Sequence, residues 1–302
     1  MLRFFRMMCS GVCKSLLQII AISTLSTALH SVAVSSEPVS QKNKPFIAED
    51  VLSNLTVIRD ERRKAGVSQD YVFPIFYPNV ELSWDKGIVL APDTAERLDT
   101  NKPKLTGNHP ALVYLHGCLG LVDHDVQWGR EVARQGFFVV MPNSFSRSNR
   151  QRNCNPITKT AGHWPQSWRY RQEEIAYALA KLRTLPWIDK EKIFLMGHSE
   201  GGVAIATGVF PSFRGLIISG WTCTHKNFFE LDGIAAPPDI PTLVLYWDRD
   251  PWYFGTPMEG TCLQHSEGRK DFQQILLRGS AHDTQQSKEF RDAVREFLKK
   301  YK

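Results

Sequence analysis

Residues 193–202 read Ile-Phe-Leu-Met-Gly-His-Ser-Glu-Gly-Gly. An apolar run of strand length, Ile193 to Met196, meets Gly197, then a serine with glycines two residues before and two after, then Gly202-Val-Ala-Ile-Ala, which can open a helix. A Gly-x-Ser-x-Gly pentapeptide alone says little, since at ~7% each for Gly and Ser it arises by chance in about one chain in ten of this length. The strand before it and the helix after it make it a nucleophile elbow. The turn is so tight that the serine must adopt a strained backbone, and side chains at the flanking positions would strike the neighbouring strand and helix. The hydroxyl of Ser199 is then lifted out of the sheet. The Glu200 amide comes to a helix N-terminus, where it can donate to an oxyanion.

Outward from this point, apolar runs alternate with helical patterns. Residues 87–90 read as a short strand, 92–110 as a surface loop, and 111–115 as a buried strand ending in His116-Gly-Cys-Leu-Gly120. A glycine-bearing turn after a central strand is where a second oxyanion donor is expected, from Cys118 or Leu119. Residues 122–135 read as helix, 137–141 as strand, 143–168 as a long loop and 170–185 as helix. Beyond the elbow come a helix to 209, strands at 216–219, 241–247 and 272–277, and a last helix with Phe290, Ala293, Val294, Phe297 and Leu298 on one face. Strand and helix in alternation predict an α/β fold, a mostly parallel central sheet with helices on both faces.

An elbow hydrolase places its partners in chain order serine, acid, histidine. His265 and His282 both follow a plausible acid. His265 lies in a polar loop with no strand before it, whereas His282 stands at the end of a strand and ahead of the terminal helix, so His282 is expected to be the base. The acid belongs at the end of the preceding strand, where Asp248 and Asp250 both qualify. The reach past Trp247 and the following Pro251 favour Asp250, with Asp248 solvated or paired with Arg249.

The segment before this domain has its own signature. Residues 1–33 carry Arg3, Arg6 and Lys14 and no acid, an apolar stretch from about 16 to 29, and the small residues Ser31-Val-Ala33. This reads as a signal peptide, too short and too polar for a comfortable membrane span. Residues 34–46 read as a disordered lead and 47–302 as one domain, opening with an amphipathic helix at 47–64. The formal charge of +6 comes from 37 basic and 31 acidic residues. Without the three basic residues of the signal it is 34 against 31, or +3, and no nucleic-acid partner is indicated. Cys118, Cys154, Cys223 and Cys262 remain in the exported chain, an even number that permits two disulfides in any of three pairings. Cys118 with Cys154 and Cys223 with Cys262 is preferred, because each pair would border the same rim of the sheet. No Cys-x-x-Cys occurs, and neither metal nor cofactor is expected.

With these pieces in place, the chain from about residue 71 to 301 resembles the dienelactone hydrolase family of the α/β-hydrolase fold. The resemblance is carried by Leu115-His-Gly-Cys-Leu-Gly120, Pro142-Asn-Ser-Phe-Ser-Arg147 with Cys154 downstream, Met196-Gly-His-Ser-Glu-Gly-Gly202, Asp250-Pro251 and Ala281-His282. It implies a triad of Ser199, Asp250 and His282 with the Cys118 amide as oxyanion donor. The chain departs from the family in having serine where the enzymes that named it use cysteine, and Asn143 where relatives commonly have aspartate. Dienelactone itself is therefore not the expected substrate. Arg147, Arg150 and Arg152 could clamp a substrate carboxylate, and Trp164 or Trp168 could wall an acyl pocket. The expectation is an exported, periplasmic or secreted serine hydrolase of a small-molecule ester or lactone. Acyl transfer or peptide hydrolysis on the same triad, and a binding protein that kept the fold, are the alternatives.

Overall fold

The computed structural model describes residues 79–302 apart from 101–104, 149, 153, 162–164, 211 and 229–230, all within the compact unit Pro45–Lys302. The signal, the lead and the helix expected at 47–64 lie outside the described residues.

The elements in chain order are α1 (Val80–Asp85), β1 (Ile88–Leu90), β2 (Arg97–Leu98), β3 (His109–Leu115), α2 (Asp123–Ala133), β4 (Phe138–Met141), β5 (Cys154–Asn155), β6 (Thr160–Ala161), α3 (Pro165–Thr184), β7 (Ile188–His198), α4 (Glu200–Thr207), β8 (Gly215–Ser219), β9 (Thr242–Trp247), β10 (Phe272–Leu277) and α5 (Lys288–Tyr301). The sheet order is β10-β9-β8-β7-β3-β4-β1-β2. From β10 to β4 every pairing is parallel, and β1 and β2 close one edge antiparallel. The α/β-hydrolase arrangement follows.

The alternation of side chains along a strand divides the apolar runs between two faces. Ala111, Val113, Leu115, Ile193 and Leu195 point into one core with residues of α3 and α4. Leu112, Tyr114, Phe194 and Met196 point into the other with residues of α2 and α5. Strands covered on both sides must be apolar at nearly every position, which is why these runs read as continuous rather than alternating.

Chain order reverses between β3 and β7. From β3 the chain moves to β4 on one side, and from β7 it moves through β8 and β9 to β10 on the other. The loops leaving β3 and β7 therefore part company and open a crevice at the carboxyl ends of the strands, where ligands bind in open α/β sheets. Those two loops are the His116–Gly120 turn and the elbow.

Two stretches expected to be loops contain structure. Residues 92–110 hold β2, whose pairing with β1 adds the sheet's last strand. Residues 143–168 hold a 3₁₀ turn at Ser144–Ser146, the β5–β6 hairpin and the first residues of α3. Strands of two residues leave no hydrophobic period to read. The hairpin is joined to the β3 loop by the disulfide Cys118–Cys154, and Cys223–Cys262 forms the second bridge.

Candidate active site

Ser199 sits between β7 and α4 with φ 54° and ψ −118°, a left-handed backbone that a side-chain-bearing residue adopts at a cost of order 1–3 kcal/mol. Neighbouring glycines permit it. A Cβ on Gly197 would lie 2.5 Å from the backbone of Gly201, and one on Gly201 would lie 2.4 Å from the Leu115 carbonyl oxygen. The Ser199 amide donates to the Ser219 carbonyl at 2.8 Å, which ties the elbow to β8.

His282 lies beyond the end of β10, and its Nδ1 is 2.7 Å from Asp250 Oδ2. Asp250 is buried at the end of β9, and its other oxygen accepts from the Trp252 amide at 2.9 Å. With both carboxylate oxygens engaged, Asp250 holds the ring in one orientation and keeps the proton on Nδ1. The Nε2 of His282 is then the basic atom. His282 and Ser199 line one cavity, together with Gly117, Cys118 and Leu119. Burial pushes the imidazole pKa of His282 below its ordinary value, with the Asp250 hydrogen bond opposing that shift. His265 is elsewhere, beside Asp232 at 3.9 Å.

Asp248 takes a different part. It accepts from the Gly279 amide at 2.9 Å and from Arg278 at 3.1 Å rather than pairing with Arg249, so it braces the turn that carries His282.

The β3 turn is held from behind by charges that residue spacing alone did not reveal. His116 Nε2 accepts from the Ser144 amide and from Arg171, each at 3.1 Å, so its proton is on Nδ1 and directed to the Gly117 carbonyl at 2.6 Å. Burial and the Arg171 charge hold this imidazole pKa well below the ordinary range and keep the ring neutral. Glu174 completes the set, 2.9 Å from Arg171 and 2.7 Å from the Ser144 hydroxyl.

The loop arginines read as a clamp have partners within the protein. The Arg147 guanidinium is fully buried. It donates to Glu173 at 2.6 Å and to the Tyr170 carbonyl at 2.9 Å, and it lies over the Tyr170 ring. Arg150 pairs with Glu200, and Arg152 donates to the Leu119 carbonyl at 3.3 Å. In a run of three arginines the sequence shows charge but not which carboxylates α3 and the elbow bring to it. Trp164 lies outside the described residues, whereas Trp168 lines the cavity beside Ser199. Asn143, where relatives commonly have aspartate, accepts from the Phe145 amide at 3.2 Å and caps the short turn.

Other residues at the site escaped the sequence reading. Tyr253 donates to the Gly220 carbonyl at 2.6 Å and packs edge-on to His282, with ring centroids 5.6 Å apart. His198 and Asp283, the residues before Ser199 and after His282, lie 3.5 Å apart. His198 stood within the quoted elbow motif and Asp283 directly after Ala281-His282, but no periodicity marks such a pair. Among the described residues no cluster of His, Cys, Asp or Glu could hold a metal, and no helix is long and apolar enough to cross a membrane.

Residues 99–212 match the model of the dienelactone hydrolase family. This stretch is similar to that family. The match takes in the His116–Gly120 turn, the Ser144–Arg147 segment and the elbow, and it stops short of Asp250 and His282. No curated protein matches the chain. Among solved structures, a dienelactone hydrolase-like promiscuous phosphotriesterase, P91, from metagenomic libraries is similar at 16% identity and TM-score 0.48, over 71% of this chain and 97% of that one. A putative dienelactone hydrolase from Klebsiella pneumoniae is similar at 13% identity and TM-score 0.46, over 66% and 88%. An acetyl xylan esterase from Paenibacillus sp. R4 stands at 17% and 0.47, over 67% and 78%.

Proposed function

We propose that this member of the dienelactone hydrolase family is an exported carboxylic ester hydrolase that cleaves an ester or lactone of a small molecule through Ser199, His282 and Asp250. The observation that carries the reading is the meeting of a left-handed Ser199 and an Asp250-bound His282 on one cavity at the β3/β7 switch point.

His282 Nε2 takes the Ser199 proton as Oγ attacks the carbonyl carbon. The oxygen becomes an anion held by the amides of Glu200 and Cys118. The tetrahedral adduct collapses, the C–O bond to the alcohol breaks, and the leaving oxygen takes the proton from His282. Water then repeats the sequence on the acyl-enzyme, deprotonated by the same nitrogen, and releases the acid. Asp250 stabilises the transient imidazolium without itself gaining the proton. Two disulfides suit a compartment in which thiols oxidise, in keeping with the signal read at 1–33.

The test is the intact mass of the mature protein after exposure to a fluorophosphonate. One adduct on the wild type, absent from Ser199→Ala and strongly slowed in His282→Ala, is the expected result. Folded wild type that takes no label would overturn the reading.

A further inference from the structure

Two cavities meet at Ser199. The smaller, about 60 Å³, is lined by His282, Asp283 and the β3 turn. The larger, about 120 Å³, has walls of Trp168, Trp221, Trp252, Tyr253, Phe228 and Met258, and His282 does not line it. The leaving oxygen of an ester must receive its proton from His282, so the alcohol belongs in the smaller cavity and the acyl group in the larger. This division rests on the serine-hydrolase reading above.

We infer that the larger cavity is an acyl pocket for a single uncharged planar ring, which makes esters of simple aromatic acids the preferred substrates. Size gives the first reason. An engineered cavity of ~150 Å³ holds benzene, so about 120 Å³ is the size that one ring occupies. The walls give the second reason. Five aromatic side chains border the space, and Trp221 and Tyr253 are themselves fixed edge-to-face with centroids 5.4 Å apart. A planar acyl ring continues that packing, whereas a puckered ring of equal carbon count is thicker and lacks the quadrupole that favours such contacts.

The walls are also restrained. Cys262, bridged to Cys223, contacts the Trp221 carbonyl through Sγ, and Cys118, bridged to Cys154, lines the opposite side. Charge supplies the final reason. Among the described residues no lysine or arginine lines the cavity, and Arg147 and Arg150 are buried in ion pairs with Glu173 and Glu200. Among the described residues its one carboxylate is Glu200, which pairs with Arg150 through Oε1 while Oε2 has no hydrogen-bond partner. A second carboxylate brought in on the substrate would find Arg150 already paired with Glu200, Lys159 outside the lining over the Trp252 ring, and one unpartnered anionic oxygen.

The experiment compares kcat/KM for methyl esters that share one alcohol: methyl benzoate, methyl cyclohexanecarboxylate, methyl acetate and mono-methyl terephthalate. Each value is divided by that ester's rate with hydroxide, to remove intrinsic reactivity. Benzoate is expected to exceed cyclohexanecarboxylate and the terephthalate monoanion by tenfold or more. Leu231→Trp, which fills the cavity, should lower the benzoate-to-acetate ratio by tenfold or more. Wild-type enzyme that labels with fluorophosphonate yet handles cyclohexanecarboxylate or terephthalate as well as benzoate overturns the acyl-pocket assignment and leaves the hydrolase reading standing. Folded wild type that neither labels nor turns over any of the four overturns both. The wild-type panel decides the matter even if Leu231→Trp does not fold.

Discussion

Asp283 Oδ1 lies 3.5 Å from His198 Nε2, so the residue that follows His282 is bound to the residue that precedes Ser199. The two rings, His198 and His282, stand 4.9 Å apart, and His198 Nδ1 reaches the Ser219 hydroxyl at 3.1 Å. Nucleophile and base come from segments some eighty residues apart, and this contact joins them side by side.

The Asp283 carboxyl is held down to about 2, first by its hydrogen bond to His198. A folded-state pKa below the unfolded value means stability that is present above the unfolded carboxylate range and is lost as pH falls through about 2. Asp283→Asn should therefore melt below wild type at pH 6, with the gap closing between pH 4 and pH 2. Because the Asp283 side chain is 42% exposed, the gap is expected to stay under about 1 kcal/mol. A gap that persisted unchanged at pH 2 would refute the linkage.

His282 must be neutral to act as a base, so activity falls as pH drops through its pKa. That pKa lies below the ordinary value, chiefly through burial, with His198 pushing in the same direction. The acid limb of kcat/KM is expected below pH 6.5 for wild type. It should move upward in His198→Asn, which removes the neighbouring imidazole. A limb that stayed in place would show that the two rings do not interact.

Asp250 and Asp248 should separate sharply. Asp250→Asn removes the acceptor that orients His282, and a loss of about 10³–10⁴ in kcat is expected from the corresponding change in serine proteases. Asp248→Asn loosens the 278–279 turn while leaving the imidazole its partner, and the expected loss is under about tenfold. Equal losses would mean that the acid has been misassigned.

Arg150 and Glu200 form a buried ion pair beneath the elbow. Arg150→Met leaves a buried carboxylate without its counter-charge and is expected to cost about 3–5 kcal/mol in urea unfolding. Adding Glu200→Met should recover much of that loss, since the pair replaced by apolar groups has no orphan charge. Additive losses would place the two side chains out of contact.

The Cys118–Cys154 bridge closes 36 residues and contributes about 3–4 kcal/mol by chain entropy. Cys154→Ser should lower thermal stability accordingly. Because Cys118 also supplies an oxyanion amide in the proposed mechanism, kcat should fall more than KM rises. A change confined to stability would detach the bridge from the oxyanion site.

Much of the site could be read from single stretches. The elbow, the acid after β9 and the histidine after β10 each depend on local chemistry: glycines that admit a strained turn, an apolar strand, a polar residue at its end. Asp250 could be preferred over Asp248 because reach along a loop is set by the chain itself. Arg147 could not be placed in this way. Its fate depended on Glu173 and Tyr170, more than twenty residues further on in a helix that packs across the β3 loop. The β5–β6 hairpin was hidden because two-residue strands carry no period.

From the sequence alone came the order of strands and helices, the parallel α/β class and the identity of the three candidate catalytic residues, because hydrophobic period and turn chemistry act over a few neighbours. Tertiary structure alone decided where the charges go and what the pocket is lined with. It brought His116, Arg171 and Glu174 together behind the β3 turn, turned Arg147 and Arg150 inward and lined an aromatic cavity from five separate segments. Burial makes an unpaired charge expensive, so each buried arginine settles on the carboxylates that folding places within reach.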